Sequence, residues 1–421
     1  MKRISALLLA LLLLALPLLV ACEASDEEGE EEGKPVEGTV TLYVYNWGEY
    51  ISDGSEDSLD SNAAFEEYFN ENLAGQFGFR VKVNYSTFSS VEDMYARVAS
   101  GAFAYDVLVP SDYMIERMIN EGLLRKLNFD NIPEFENIDP AFQNLDYDPT
   151  NEYTVPYSYG MIGVIYNTSI VDEENEDIGS WRLMFNPETE HAGDILQFNN
   201  PRDAFGTALY YLGYDVNDTT PEHWNEALAL LKEQKNIVQG YVMDEIFNKM
   251  ESGSAAIAAY YAGDFLSMYE SNEDLEFFYP AEGTNYYVDA FCIPYNSTHP
   301  EVAEAYINFM LTEEPAVANA EATYYASPNL VVRESEEYQE CMNEIKEDAM
   351  DILYGTPSED YLTIAYRNLD DDGLAMLNDL WEELKVESSI STTIYVMCAV
   401  IIGVVLGFAI FFWIRRRIRA I

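Results

Sequence analysis

Histidine and cysteine are almost missing from this chain, with three and four in 421 residues. His191, His223 and His299 lie far apart and carry no assigned chemistry. Cys22 and Cys398 fall at or inside apolar terminal runs, which leaves Cys292 and Cys341. Two cysteines do not make a disulfide framework, and metal-ligand spacing is absent, although oxidising surroundings would permit a single bridge. Nucleophile-elbow, zinc-helix and phosphate-loop motifs are also missing, so the sequence offers no enzyme chemistry and calls for no cofactor and no metal. Basic residues are scarce as well: Lys and Arg total 22 against 75 Asp and Glu, a net charge of −53. Such a field repels nucleic acid and other anions and concentrates cations, an effect that salt weakens. Solubility or a salty habitat would explain the same charge.

The ends read as targeting segments. Met1-Lys2-Arg3 precedes a Leu-rich run, Ala6 to Val20, that is too short for a comfortable span and reads as a secretory signal over residues 1–21. Leu19-Val20-Ala21-Cys22 resembles the bacterial lipoprotein signal, which implies lipidation at Cys22. Residues 22–38 are Glu-rich and free of aromatics, an acidic flexible linker. Residues 394–414 are apolar almost throughout, and Arg415, Arg416, Arg417 and Arg419 follow. This is the pattern of a C-terminal transmembrane helix with a basic cytoplasmic tail over 415–421. It places the protein at the cell membrane with the bulk of the chain on the extracytoplasmic side.

Between these ends strands alternate with helices, the pattern of an α/β fold. The run Thr39 to Tyr45 reads as a buried strand, and Gly48 marks the turn after it. Trp47, Glu49 and Tyr50 therefore sit at the carboxyl end of a first strand, where α/β sheets bind ligands. Aromatic faces beside a carboxylate suit an organic cation. Further strands are expected at Phe79–Ser86, Tyr105–Pro110, Tyr153–Tyr166, Ile195–Phe198, Ala255–Tyr261 and Tyr286–Ile293. Pro201 is placed for the first turn of a helix, with Asp203 in that turn. Asp112 reads as a solvated turn or cap residue.

Six motifs occur in order: Tyr45-Asn46-Trp47-Gly48-Glu49-Tyr50, Val109-Pro110-Ser111-Asp112-Tyr113, Val155-Pro156-Tyr157-Ser158-Tyr159-Gly160, Ala262-Gly263-Asp264, Val288-Asp289-Ala290-Phe291-Cys292-Ile293-Pro294 and Ser327-Pro328-Asn329-Leu330. Together they resemble the periplasmic spermidine/putrescine-binding proteins of bacterial ABC transporters. The resemblance implies a two-lobed type II periplasmic-binding fold with central sheets and hinge crossovers near Gly160 and Tyr287. Lobe 1 would be residues 39–160 completed by 288–333, and lobe 2 residues 161–287 completed by 334–388. It implies capture of a polyamine, putrescine or spermidine, in an interlobe cleft and delivery to an ABC permease.

Carried over by position, Trp47, Tyr113, Tyr261 and Tyr287 match aromatic walls. Glu49, Asp203, Asp264 and Asp289 match acids that hold amino groups, while Ser111 and Tyr50 match lesser contacts. The physics of a polyamine agrees, because aromatic walls cover methylenes and carboxylates pair with the ammonium groups. Two positions depart from the pattern. Asn200 stands where some members carry another acid, and Arg367 aligns near a position that is a neutral amide in a spermidine binder. Both changes lower the field for a third ammonium, so a diamine is expected to bind at least as well as a triamine. Two alternatives stay open on these residues: a membrane-tethered sensor domain for another cationic solute, or a ferric-ion binder using the tyrosine pairs Tyr260-Tyr261, Tyr286-Tyr287 and Tyr324-Tyr325.

Overall fold

The computed structural model describes residues 34–55, 58–355 and 363–386. They divide into two compact units, one made of residues 34–40 with 68–81 and one holding the rest. The small unit packs Phe69, Phe77 and Phe79 together, with ring centroids 5.0 to 6.2 Å apart. Asn70 brackets the backbone of Val81, accepting from its N–H at 2.8 Å and donating to its carbonyl at 3.0 Å.

The strands are β1 (Thr39–Trp47), β2 (Arg80–Phe88), β3 (Val107–Leu108), β4 (Thr154–Asn167), β5 (Ile195–Phe198), β6 (Val238–Val242), β7 (Ile257–Tyr261), β8 (Leu275–Phe278), β9 (Thr284–Cys292) and β10 (Thr363–Ala365). Their order is β2-β1-β3-β9-β4-β7-β5-β6, with β10 on β9 and β8 on β4. β4 is long enough to serve two packings. Its first part, from Thr154 to Met161, runs antiparallel to β9, and its second part, from Ile162 to Tyr166, runs antiparallel to β7. The β1–β3, β5–β6 and β5–β7 pairs are parallel. Parallel strands need crossover helices, which is why strands and helices alternate along the sequence.

Two hydrophobic cores flank this arrangement. One is built around Trp181, Phe198, Phe205, Trp224 and Phe265, the other around Tyr45, Phe88, Met94, Ile115 and Cys292. Each fully buried large side chain contributes about 1.5–3 kcal/mol. Helices start where the local chemistry dictates. Asn200 caps the helix Pro201–Leu212 by accepting from the N–H groups of Arg202 (2.8 Å) and Asp203 (3.3 Å); Pro201 occupies the first turn, and Gly213 at φ +75° ends it.

The expected transmembrane helix is corrected. Among the described residues no helix is long and apolar enough to cross a membrane. The last one, Asp371–Val386, carries Asp371, Asp372, Asp379, Glu382 and Glu383 and buries only one face, through Leu377, Leu380 and Leu384. That is the pattern of a helix with one face laid on a hydrophobic core. Residues 394–414 themselves, like Cys22, lie outside the described residues. Cys292 and Cys341 are both free thiols, the first buried in β9 and the second on the helix Glu336–Ile345.

Candidate ligand-binding site

The turn after β1 is stapled by Asn46, a buried side chain. Its Oδ1 accepts from the N–H of Trp47 at 2.8 Å and its Nδ2 donates to the carbonyl of Tyr50 at 3.2 Å. Glu49 takes a left-handed conformation, φ +49°, which L residues seldom adopt and which here leaves its side chain exposed at a pocket mouth. The turn thus delivers Trp47, Glu49 and Tyr50 to one pocket of about 910 Å³, counting the part continuous with solvent. The segment after β3 supplies Ser111 and Tyr113, the segment after β5 supplies Asn200 and Asp203, β7 supplies Tyr261, and β9 supplies Tyr287 and Asp289. Asp264 enters from the first turn of the helix Ala262–Ser271. Of the twelve ligand-binding positions expected from sequence, Arg367 is the one outside the lining.

Three of the acids share one arrangement. Asp289 Oδ2 accepts from the Tyr50 hydroxyl at 2.7 Å, Asp203 Oδ2 from Tyr261 at 2.8 Å, and Asp264 Oδ2 from Tyr325 at 2.8 Å. Each carboxylate is therefore oriented by a phenol through one oxygen. Asp289 is 4 % exposed, and among the described residues no hydrogen bond of normal geometry reaches its Oδ1, the Tyr287 hydroxyl or the Trp47 indole N–H. Buried polar groups are normally paired, so these are positions where a ligand group completes the bonding. Burial pushes the Asp203 and Asp264 carboxyls up to about 7, against the pull of Tyr261 and Tyr325 respectively. Burial likewise pushes Asp289 up to about 6.

Aromatic rings connect the acids. Tyr261 and Tyr287 meet edge to face at 5.4 Å, Tyr287 and Tyr325 at 6.5 Å, and Tyr325 and Tyr50 at 5.1 Å. Glycines make room for them. A Cβ on Gly263 would come within 2.9 Å of the Tyr325 ring, and one on Gly206 would collide with the Tyr366 hydroxyl.

Two sequence expectations need correction, those for Arg367 and Asp112. Arg367 does not face the pocket. Its guanidinium forks onto Glu116, Nη2 to Oε1 at 2.6 Å and Nε to Oε2 at 3.1 Å, and reaches Asp146 at 3.3 Å. Its neighbour Tyr366 lines the pocket instead. Asn200 contributes no free acceptor there, because its Oδ1 is committed to the helix cap. Asp112 is not solvated: it is 3 % exposed, lines the pocket and accepts from the backbone N–H of Tyr113 at 2.7 Å. Burial, then the nearby charge of Asp289, raises its pKa well above the usual carboxylate range.

Sequence reasoning missed Tyr366 and Asp244, and it singled out Tyr260 and Tyr325 only as members of tyrosine pairs for a metal. Tyr325 had a signal in Gly263, where any side chain would strike it. Tyr324, at φ +60°, ends the helix Glu313–Thr323 and turns the chain toward the pocket. Arg202 is buried behind the lining with its guanidinium 4.6 Å from the Tyr366 ring, and its own position is held by Asn217 at 2.9 Å. The lining itself contains six carboxylate residues, Glu49, Asp112, Asp203, Asp244, Asp264 and Asp289, and no lysine or arginine.

Known proteins are similar to this chain. The chain matches the bacterial extracellular solute-binding proteins over residues 63–344. It is 32% identical over 334 residues to the spermidine/putrescine-binding periplasmic protein of Salmonella typhimurium, covering 79% of this chain and 86% of that one. It is 30% identical over 281 residues to the putrescine/cadaverine-binding protein of Pseudomonas aeruginosa, covering 64% and 74%. Among solved structures, the spermidine/putrescine ABC transporter substrate-binding protein PotD of Streptococcus pneumoniae superposes with a TM-score of 0.64 at 31% identity, over 82% of this chain and 98% of that one. The strand order, the acids at the strand ends and these similarities agree: the chain is a two-lobed α/β periplasmic-binding protein and belongs to the bacterial extracellular solute-binding protein family.

Proposed function

We propose that this protein captures a linear polyamine, putrescine or spermidine, in the pocket described above and delivers it to an ABC permease. The observation that carries this is the set of phenol-held aspartates, Asp203, Asp264 and Asp289, lying among aromatic rings in a lining with no cationic side chain. An ammonium chain fits such a lining because each charged hydrogen bond contributes about 1.5–3 kcal/mol while rings cover the methylenes. Relatives named for spermidine, putrescine and cadaverine binding support the same ligand class.

The protein works as a binder and not as an enzyme. Residues 39–160 with 288–333 form its first lobe and residues 161–287 with 334–388 its second. Residues 1–21 act as an export signal and 22–38 as a tether, with a lipid on Cys22 holding the domain at the outer face of the membrane. A ferric-ion role is disfavoured because the Tyr261 and Tyr325 hydroxyls are engaged as donors to Asp203 and Asp264 at 2.8 Å, and the relatives are named for polyamines.

Titration calorimetry with putrescine and spermidine at moderate salt is the test. One-to-one binding of either amine is expected; no heat and no thermal shift with both would end the polyamine reading.

A further inference from the structure

Asp244 belongs to no motif singled out in the sequence, yet it lines the pocket beside the Gly48-Glu49 turn. It precedes the helix Glu245–Glu251 and is exposed. A Cβ on Gly48 would lie 4.0 Å from its Oδ2, so the carboxylate stands directly against the turn that presents Glu49. Neither Asp244 nor Glu49 has a side-chain hydrogen bond or ion pair among the described residues. Burial is the main cause that raises the Asp264 carboxyl and the Tyr260 hydroxyl, and the nearby charge of Asp244 adds to it at both.

The pocket's acids thus fall at two levels. Asp112, Asp203 and Asp289 are buried, with exposures of 3 to 5 %. Asp244 and Glu49 are exposed at the mouth, and Asp264 lies between, half-buried and coupled to Asp244. The unpartnered Oδ1 of buried Asp289 points to an ammonium inside. The mouth acids are then left over, with no lysine or arginine among the described residues that line the pocket. Arg367, which would have repelled an extra charge, is neutralised by Glu116 away from the lining.

We propose that Asp244 is a specificity-determining residue: with Glu49 beside it at the mouth it holds the outer ammonium of a triamine, so that the pocket favours three charges over two. This rests on the polyamine reading and deepens it. A diamine satisfied by the buried aspartates leaves Asp244 unused, whereas a triamine of greater length extends an ammonium to the rim. An exposed charge pair contributes little alone, but two carboxylates converging on one ammonium add a charge-assisted contact that the shorter ligand lacks.

The test titrates the full protein and its Asp244→Asn variant with putrescine and with spermidine at physiological salt. Glu233→Gln, an exposed acid on the helix Pro221–Gln234 outside the lining, serves as control for the general field. The parent is expected to bind spermidine more tightly than putrescine. Asp244→Asn should lose about tenfold for spermidine and less than about twofold for putrescine. Equal losses for both amines, no loss for either, or the same selective loss in Glu233→Gln would overturn the proposal. A parent that binds neither amine would instead overturn the polyamine reading itself.

Discussion

Gly160 of β4 and Tyr287 of β9 are register partners, and a Cβ built on Gly160 would lie 2.6 Å from the Tyr287 hydroxyl. That hydroxyl is buried, and no hydrogen bond of normal geometry reaches it among the described residues. The pair sits where β4 passes from β9, through Met161, to β7 from Ile162 onward. One missing side chain therefore serves both the strand crossover and the ring that lines the pocket.

Gly160→Ala is accordingly expected to push the Tyr287 ring off its position while leaving the β4–β9 hydrogen bonds in place. Polyamine affinity should drop about tenfold or more, with a stability loss of about 1–3 kcal/mol typical of overpacking. Calorimetric titration beside a thermal melt separates the two effects. Unchanged affinity in a folded variant would show that the ring's position is not critical.

Asp289→Asn is expected to weaken binding and stabilise the empty protein. Burial raises the Asp289 carboxyl from its ordinary 3.8 to about 6. The folded state thus holds the proton more tightly than the unfolded chain, and the group's favourable contribution is complete below about pH 4 and is lost as pH rises through 6. At pH 8 the side chain is a desolvated anion, and Asn removes that cost. The variant should melt higher than the parent at pH 8, converge with it below about pH 4, and lose about 3 kcal/mol of ligand binding from the unpaired ammonium. A variant that melts lower at pH 8 would contradict this.

Binding should itself depend on pH. The carboxyls of Asp203 and Asp264 sit at about 7 and that of Asp289 at about 6, so each is partly or largely protonated in mildly acidic solution. An ammonium pairs with the ionised form, and binding expels those protons. Affinity for spermidine is expected to rise between about pH 5.5 and 8, with net proton release. Titrations at pH 7 in buffers of different ionisation enthalpy measure the release directly. Proton uptake, or an affinity flat across this range, would show that these aspartates do not pair with the ligand.

Much of the site was legible because its residues cluster just past strand ends marked by turn chemistry. The β1 run stops at Asn46 and Gly48, and Pro201 announces the helix that carries Asp203. The signals failed where burial is set by distant packing. Asp112 follows Ser111 at a helix start and looks solvated, yet β9 covers it, bringing the N–H of Val288 to 3.4 Å from its Oδ2. Asp244 and Tyr366 come from segments without a distinguishing motif. The short strands Val238–Val242, Leu275–Phe278 and Thr363–Ala365 were missed because, unlike the equally short Ile195–Phe198 and Ile257–Tyr261, they are only partly buried and show no apolar run.

Arg367 shows how a one-residue offset changes a functional argument. It follows β10, and neighbouring residues of an extended chain point to opposite sides. Tyr366 takes the pocket side, while Arg367 turns to Glu116, which also accepts from the N–H of Asn368 at 2.8 Å. The expected repulsion of a third ammonium therefore disappears, and with it the reason for a diamine preference. Arg367→Gln should alter the ratio of spermidine to putrescine affinity by less than about twofold. Its side chain is 43% exposed, so the lost ion pair should cost only about 0–1 kcal/mol of stability. Competition between the two amines and a denaturant melt give both values. A gain of fivefold or more for spermidine, on the order of 1 kcal/mol, would show that the guanidinium does act on the ligand and that its pairing with Glu116 does not neutralise it.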